Sequence, residues 1–269
     1  MADFLDMPIG EIAADSTKLF ASHRFEPVAV AHSLSTMGTF SDPFQFPTGP
    51  SAHLAPMLPN VFALINRTTE SEATRNTIRQ TLSAIVASIQ YAMLPALAVA
   101  LGFPLRVGII SSLLPIGVFS FLPSARKRLE TEGLWEHTYA ALGLVLLGLL
   151  TVRYVWTAKI TWSKAIAFGL CWGCYLLCIP TMGPVLCAWL IVGAFLQNAE
   201  ARPKYLLLCL AIVSATIAAI APWTLRNYHV LGSAVLIRSN LGLELYVSNN
   251  GCAKANFAEM LPCFNQNQW

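Results

Sequence analysis

The chain has 269 residues, of which 55% are hydrophobic and 12% are charged, and its formal net charge is +3. Soluble domains carry about twice this share of charged residues, so the composition predicts a membrane protein. The small charge and the lack of a long basic block argue against a nucleic-acid partner, and we expect none.

The N-terminal segment, residues 1 to 20, is polar and carries four acids but no long apolar run. This pattern predicts neither a signal peptide nor a transmembrane helix. Residues 21 to 54 then form a polar loop that is rich in proline and aromatic residues. Within it, Val30, Ala31 and Leu34 are spaced to share one apolar helix face.

Residues 55 to 222 contain uncharged runs of about twenty residues, the length that crosses a bilayer. These runs lie between Arg79 and Arg106, between Arg106 and Arg126, from Lys164 to Glu200, and from Lys204 to Arg226, and a further run from His137 to Trp156 contains only Arg153, near its end, where it can reach the interface. We therefore expect an all-α, polytopic transmembrane helical bundle with six or seven membrane segments, followed by a polar tail at residues 223 to 269.

Two of the apolar segments leave alternatives open. The 35 uncharged residues after Lys164 are interrupted by IPTMGP, which predicts either a hairpin of two short helices or one kinked helix. The segment 55 to 66 is too short and too rich in proline for a confident span. It can also be the membrane end of a helix that begins in the preceding loop.

Basic residues predict the orientation of the helices. The clusters RTTESEATRNTIR (67–79) and ARKRLE (125–130) favour the cytoplasmic side, which places residues 21 to 54 on the extracytoplasmic side. For the tail, the number of spans leaves both sides open, although Trp223 and Tyr228 suit an interfacial belt and favour the outer side.

The first loop contains a candidate catalytic acid, Glu26. A carboxylate held at the membrane surface can take a proton from an incoming hydroxyl. The alternative is that Glu26 only caps or solvates the start of a helix. His53, at the end of the same loop, is a candidate substrate-binding residue.

The tail contains candidate phosphate-binding residues. Arg226 is followed by Asn227, and Arg238 stands two residues before Asn240. A guanidinium group binds phosphate through paired charge-assisted hydrogen bonds, and the alternative is a juxtamembrane arginine that pairs with any anionic lipid. Glu244 lies in LGLELYV, which predicts a short strand or an interfacial element, and it completes the set of candidate substrate-binding residues.

The sequence indicates neither a metal site nor a cofactor. No glycine-rich nucleotide-binding motif occurs, and the five histidines lack metal-ligand spacing. The CWGC sequence at 171 to 174 has neither a second CxxC nor a nearby histidine, so its cysteines are expected to pack between helices.

Three stretches carry a resemblance to a known family. GTFSDPFQFPTGPSAHLAPMLPNVFALI, preceded by FEPVAVAHSL, resembles the first extracytoplasmic loop of bacterial membrane glycosyltransferases of the protein-O-mannosyltransferase-like GT-C superfamily. The tail APWTLRNYHVLGSAVLIRSNLGLELYVSNN is similar to a segment after a late transmembrane helix of these proteins. GLCWGCYLLCIPTMGPVLCAW is similar to their proline-interrupted helix, and the resemblance extends from about residue 24 to the C-terminus.

The resemblance implies a multi-pass protein of the bacterial inner membrane that transfers a sugar from a polyprenyl-phosphate carrier, within the membrane lipid, to an acceptor at the outer face. It implies Glu26 as the base and Arg226 and Arg238 as ligands of the carrier phosphate. Better-known relatives have an Asp-Glu pair where Phe25 and Glu26 stand here. They also have a helix before the first loop and further helices after the tail, so the resemblance implies a truncated enzyme.

Two other classes of function remain open at this point. A transporter or flippase component would need ionisable residues at mid-membrane, and the runs between Arg79 and Arg126 and between Lys164 and Glu200 contain none there. A non-catalytic membrane scaffold is the second alternative.

Overall fold

The computed structural model describes residues 26–44, 47–121, 136–157, 160–251 and 253. Their regular structure is helical, and in place of a sheet they contain one isolated bridge, between Ser41 and Pro50. The helices are α1 (Glu26–Thr36), α2 (Met57–Asn66), α3 (Glu72–Ala100), α4 (Leu105–Phe121), α5 (Glu136–Leu150), α6 (Trp162–Leu176), α7 (Gly183–Leu196), α8 (Arg202–Leu231) and α9 (Leu241–Ser248). The predicted all-α fold is thus confirmed for this part of the chain, while residues 1 to 20 and 125 to 130 lie outside it.

Within the described part of the chain, three helical segments are long and apolar enough to cross a membrane: Glu72–Ala100, Glu136–Val155 and Arg202–Leu231. The second of these is α5 continued by a π-helical turn, Thr151–Val155. All three coincide with uncharged runs in the sequence, because a bilayer-length run without charges favours one long helix. The helices α2, α4 and α7 are apolar but shorter.

The long apolar run after Lys164 folds as a hairpin of two helices, which settles the choice between a hairpin and a kinked helix. α6 ends at Leu176, and α7 begins at Gly183 after a single 3₁₀ turn, Pro180–Met182. Ile179 is extended (φ −140°, ψ 90°), as expected for a residue before proline. Pro184 lies in the first turn of α7, where its missing N–H breaks no helical hydrogen bond.

The long helices alternate in direction. α3 and α5 run parallel, since Ser83 meets Tyr139 and Leu97 lies beside Gly148. α4 returns antiparallel to α3, and α7 runs antiparallel to α6 and α8, which are parallel to each other. We call the end at which α3, α5 and α7 begin, and α4, α6 and α8 end, the site end.

Glycines allow α6 and α8 to pack closely against each other. An added Cβ at Gly169 would lie 2.3 Å from the Ile212 carbonyl oxygen, and one at Gly173 would lie 2.4 Å from the Ala219 Cβ. The Thr216 hydroxyl donates across the same contact to the Gly169 carbonyl at 3.0 Å. This spacing of small residues and a bridging hydroxyl is typical of helices packed in a membrane.

A proline inside α3 is accommodated by a hydrogen bond from α4. Pro95 has no N–H, so it cannot donate to the carbonyl of Tyr91 one turn earlier. The Ser112 hydroxyl donates to that carbonyl at 2.8 Å. Gly108 of α4 packs directly on Pro95 and allows the two helices to approach.

The structure differs from the predicted orientation in one respect. α2 has ten residues and a length of about 15 Å, half of what a bilayer core requires. It packs beside α1, and Arg67 donates to the Leu34 carbonyl at 3.2 Å. The described residues of the first loop and the basic residues at the start of α3 therefore lie at the same end of the bundle.

The segment LGLELYV also differs from one of its two predicted forms. Residues 241 to 248 form the helix α9 and not a strand. The alternation of leucine with other residues over seven positions resembles a strand locally. The same segment is also compatible with a helix, because leucine and glutamate are good helix formers and no β-branched residue, the type that favours strands, precedes Val247.

Candidate functional site

Between α1 and α2, the first loop closes on itself through Asp42. Its carboxylate accepts hydrogen bonds from the Ser41 hydroxyl at 2.7 Å and from the backbone N–H groups of Thr48 and Gly49, both at 2.8 Å. These bonds, led by the one from Ser41, lower the pKa of Asp42. Asp42 is therefore a turn residue, which joins residue 41 to residues 48 and 49 through its carboxylate.

The tail segment, residues 232 to 240, folds back along the last turns of α8. Gly232 ends the helix in the left-handed conformation (φ 66°). The Trp223 indole N–H then donates to the Ile237 carbonyl at 2.9 Å, and the Thr224 hydroxyl donates to Leu236 at 2.8 Å. The tail segment is thereby fixed against the site end of α8.

Arg226 connects α8 to the first loop. Its Nη1 donates to the Ser51 carbonyl at 2.7 Å, and its Nη2 donates to the Phe40 carbonyl at 3.0 Å. The guanidinium group also lies over the rings of Trp223 and Phe40, at 4.9 and 5.5 Å from their centroids. Both ends of the Asp42 turn are therefore held by one side chain.

Arg238 connects the tail segment to the first loop and to α5. Its Nε donates to the His53 carbonyl at 3.0 Å, and its Nη1 donates to Glu136 Oε1 at 3.1 Å. Beside it, the Ser239 N–H donates to the Ala52 carbonyl at 2.8 Å. Successive carbonyl groups of the first loop are thus bound from α8 and the tail segment: Ser51 by Arg226, Ala52 by Ser239 and His53 by Arg238.

The candidate acid Glu26 lies at the start of α1 and pairs with His53. Glu26 Oε2 is 3.2 Å from His53 Nε2, and the side chains are 28% and 13% exposed, respectively. A carboxylate in the first turn of a helix is stabilised by the helix dipole. The pair keeps access to solvent and a hydrogen bond that orients the carboxylate, which is what a general base requires.

The other candidates have different positions. Asn227 is fully buried; its amide donates to the Val235 carbonyl at 2.9 Å, and its Oδ1 accepts from Arg226. Asn240 is buried at the start of α9. Glu244 lies within α9, and its side chain is outside the described part of the structure. Asn227 therefore supports Arg226 and the tail segment from inside the protein.

Among the described His, Cys, Asp and Glu side chains, no group of three is close enough to hold a metal ion. The arrangement offers a carboxylate-imidazole pair and two guanidinium groups within one loop-tail contact.

Comparisons with protein-family models, with curated proteins and with solved structures find no match to this chain.

Sequence reasoning missed Glu136, the first residue of α5. It is buried and pairs with Arg238, which stands 102 positions later in the chain. The signal in the sequence was that Glu136 stands immediately before an apolar run. An acid that is buried beside such a run needs a cationic partner elsewhere in the chain. Trp223 was noted only as an interfacial residue, although it stacks on Arg226.

Proposed function

We propose that the protein is a polytopic membrane glycosyltransferase related to the protein-O-mannosyltransferase-like GT-C superfamily. It transfers a sugar from a polyprenyl-phosphate carrier to an acceptor hydroxyl. The observation that supports this most directly is the loop-tail contact, where Glu26 and His53 of the first loop share one end of an apolar bundle with Arg226 and Arg238. A base and a phosphate-binding group are the two components that the reaction requires.

In the proposed reaction, Glu26 takes the proton of the acceptor hydroxyl while the hydroxyl oxygen attacks the anomeric carbon. The bond between that carbon and the phosphate oxygen breaks, and polyprenyl phosphate leaves with the electron pair. His53 holds the Glu26 carboxylate through its Nε2. Cationic donors that meet the leaving phosphate stabilise the negative charge as it develops.

Arg226 is the better placed of the two arginines to bind phosphate. Its described contacts are neutral carbonyl and amide oxygens and aromatic faces, so no described carboxylate compensates its charge. Arg238, in contrast, is paired with Glu136. An anion makes stronger hydrogen bonds to guanidinium than a neutral carbonyl does, and it can compete for the Arg226 donors.

An apolar groove lies beside Arg226 at the same end of the bundle. It has a volume of about 360 Å³ and is lined by Met57, Asn60, Leu177, Pro222 and Trp223, among others. Trp223 is shared between the groove and Arg226, which stacks on it. A hydrocarbon chain in the groove would therefore place its headgroup next to the guanidinium.

We propose that the site end faces the extracytoplasmic side, as the resemblance implies. Basic residues occur at both ends of the bundle. Arg106, Arg153, Lys164, Arg202 and Lys204 lie at the opposite end, whereas Arg67, Arg75 and Arg79 lie at the site end, and the basic segment 125–130 stands in the chain between α4 and α5. The proposed orientation therefore rests on the resemblance and not on the charge rule.

The test is transfer of labelled sugar from a polyprenyl-phosphate carrier in membranes that contain the full chain. We expect transfer by the wild type, and we expect Arg226→Lys to raise the KM for the carrier about tenfold, because lysine keeps the charge but loses the fork of donors. Arg106→Lys, at an exposed position of the opposite end, is the matched control and should leave KM unchanged.

Two outcomes would contradict the proposal. Label that crosses the membrane without a new glycosidic bond would indicate a flippase. A wild type that transfers no sugar from any polyprenyl-phosphate donor would remove the enzymatic function.

A further inference from the structure

Glu136 is a buried acid that the proposed reaction does not use. It is 8% exposed and begins α5, so its carboxylate lies at the positive end of a helix dipole. It borders a cavity of about 10 Å³, also lined by Pro27, Leu54 and Cys178, which holds at most one water molecule. The carboxylate therefore has little room to move, and Arg238 is its cationic partner.

Arg238 uses two different edges of its guanidinium group. The Nη1 donates to Glu136 Oε1 at 3.1 Å, and the Nε donates to the His53 carbonyl at 3.0 Å. Because the guanidinium group is planar and rigid, fixing one of these bonds fixes the direction of the other. The position of Glu136 thus determines where the backbone of His53 is held.

The His53 side chain connects this fixed backbone position to the candidate base, Glu26. Its Nε2 is 3.2 Å from Glu26 Oε2, and its ring packs on Phe44 at a centroid distance of 5.0 Å. The backbone N–H of the same residue donates to the Ser51 hydroxyl at 2.9 Å. With backbone and ring both held, the imidazole is oriented towards Glu26.

We infer that Glu136 is a positioning residue for the Glu26-His53 pair and acts through Arg238. The inference rests on the proposed function for its catalytic consequence, but its structural part stands independently. An ion pair that served only to stabilise the fold would need charge complementarity between positions 136 and 238. A positioning role also needs a rigid donor fork at position 238.

The test compares Arg238→Lys, Glu136→Gln and the exchanged pair Glu136→Arg/Arg238→Glu, with Glu72→Gln as control. Glu72 pairs with Arg75 and Arg79 at the same end of the bundle, away from His53. The first readout is the rate at which diethylpyrocarbonate modifies His53 in the full protein, measured on the peptide by mass spectrometry. His32 and His229 serve as internal references.

We expect Arg238→Lys to speed modification of His53 several-fold and to lower kcat for sugar transfer about a hundredfold, with the KM for the carrier unchanged. Glu136→Gln should also speed modification of His53 and lower kcat, but by smaller factors. The exchanged pair should restore neither the wild-type rate of His53 modification nor the wild-type kcat, since glutamate at position 238 cannot donate to the His53 carbonyl. Glu72→Gln should behave as the wild type.

The results separate the inference from the proposed function. Unchanged modification of His53 in Arg238→Lys, or full recovery in the exchanged pair, would overturn the positioning role even if sugar transfer is observed. Faster modification of His53 in a protein that transfers no sugar would support the structural part and overturn the proposed function.

Discussion

Glu26→Gln is expected to lower the rate of sugar transfer by a factor of about 10² to 10⁴, the range typical of a lost general base. Glutamine has nearly the same shape as glutamate. In the wild type His53 Nε2 is 3.2 Å from Glu26 Oε2, and the glutamine carbonyl can still accept a hydrogen bond from it. What it loses is the ability to take a proton. The measurement is the rate of label transfer at saturating carrier in membranes with equal amounts of each variant.

The matched control for this change is Glu70→Gln. Glu70 lies at the same end of the bundle, between α2 and α3, and is exposed. It should retain wild-type activity. A Glu26→Gln variant with the full transfer rate would exclude Glu26 as the base and leave it as a residue that begins α1.

Gly169→Ala is expected to destabilise the bundle by about 1–3 kcal/mol, the usual cost of overpacking. The added Cβ would lie 2.3 Å from the Ile212 carbonyl oxygen and 2.8 Å from the Ala215 Cβ. Since the nearer of these is a backbone atom of α8, the two helices must separate to make room. Separation would also stretch the hydrogen bond from Thr216 to the Gly169 carbonyl.

The free energy of unfolding, measured by tryptophan fluorescence in mixed detergent micelles, tests this expectation. Gly117→Ala is the control, because a Cβ at Gly117 of α4 meets nothing within 4 Å. That variant should be as stable as the wild type or slightly more stable, since alanine is the better helix former. Equal stability of Gly169→Ala and the wild type would show that α6 and α8 are not in this close contact.

The helices could be predicted from the sequence because their signal is local. The uncharged runs before Arg106 and after Lys204 coincide with α3 and α8, and the prolines in IPTMGP mark the turn between α6 and α7. The orientation of the first loop was harder to predict. Its prediction depended on whether residues 55 to 66 cross the bilayer, and α2 is too short to do so.

The site depends on contacts between distant positions, which one sequence does not reveal. Arg226 and Arg238 could be identified as groups that bind oxygen anions, but their observed partners include carbonyl groups more than 170 positions earlier, at Phe40, Ser51 and His53. Glu136 could be recognised as part of the site only from the structure, which places it against Arg238. For Glu26, the structure adds its partner His53, while its role as a base stays a prediction.

Cysteine accessibility gives the most direct test of the central claim, which is that the first loop and the tail segment lie together at one end of the bundle. Single cysteines would replace the exposed residues Met37 and Leu236 at the site end and Phe103 at the opposite end, in a cysteine-free background. An impermeant maleimide applied to sealed vesicles of known orientation should label positions 37 and 236 from one side and position 103 from the other. Labelling of positions 37 and 236 from opposite sides would contradict the account.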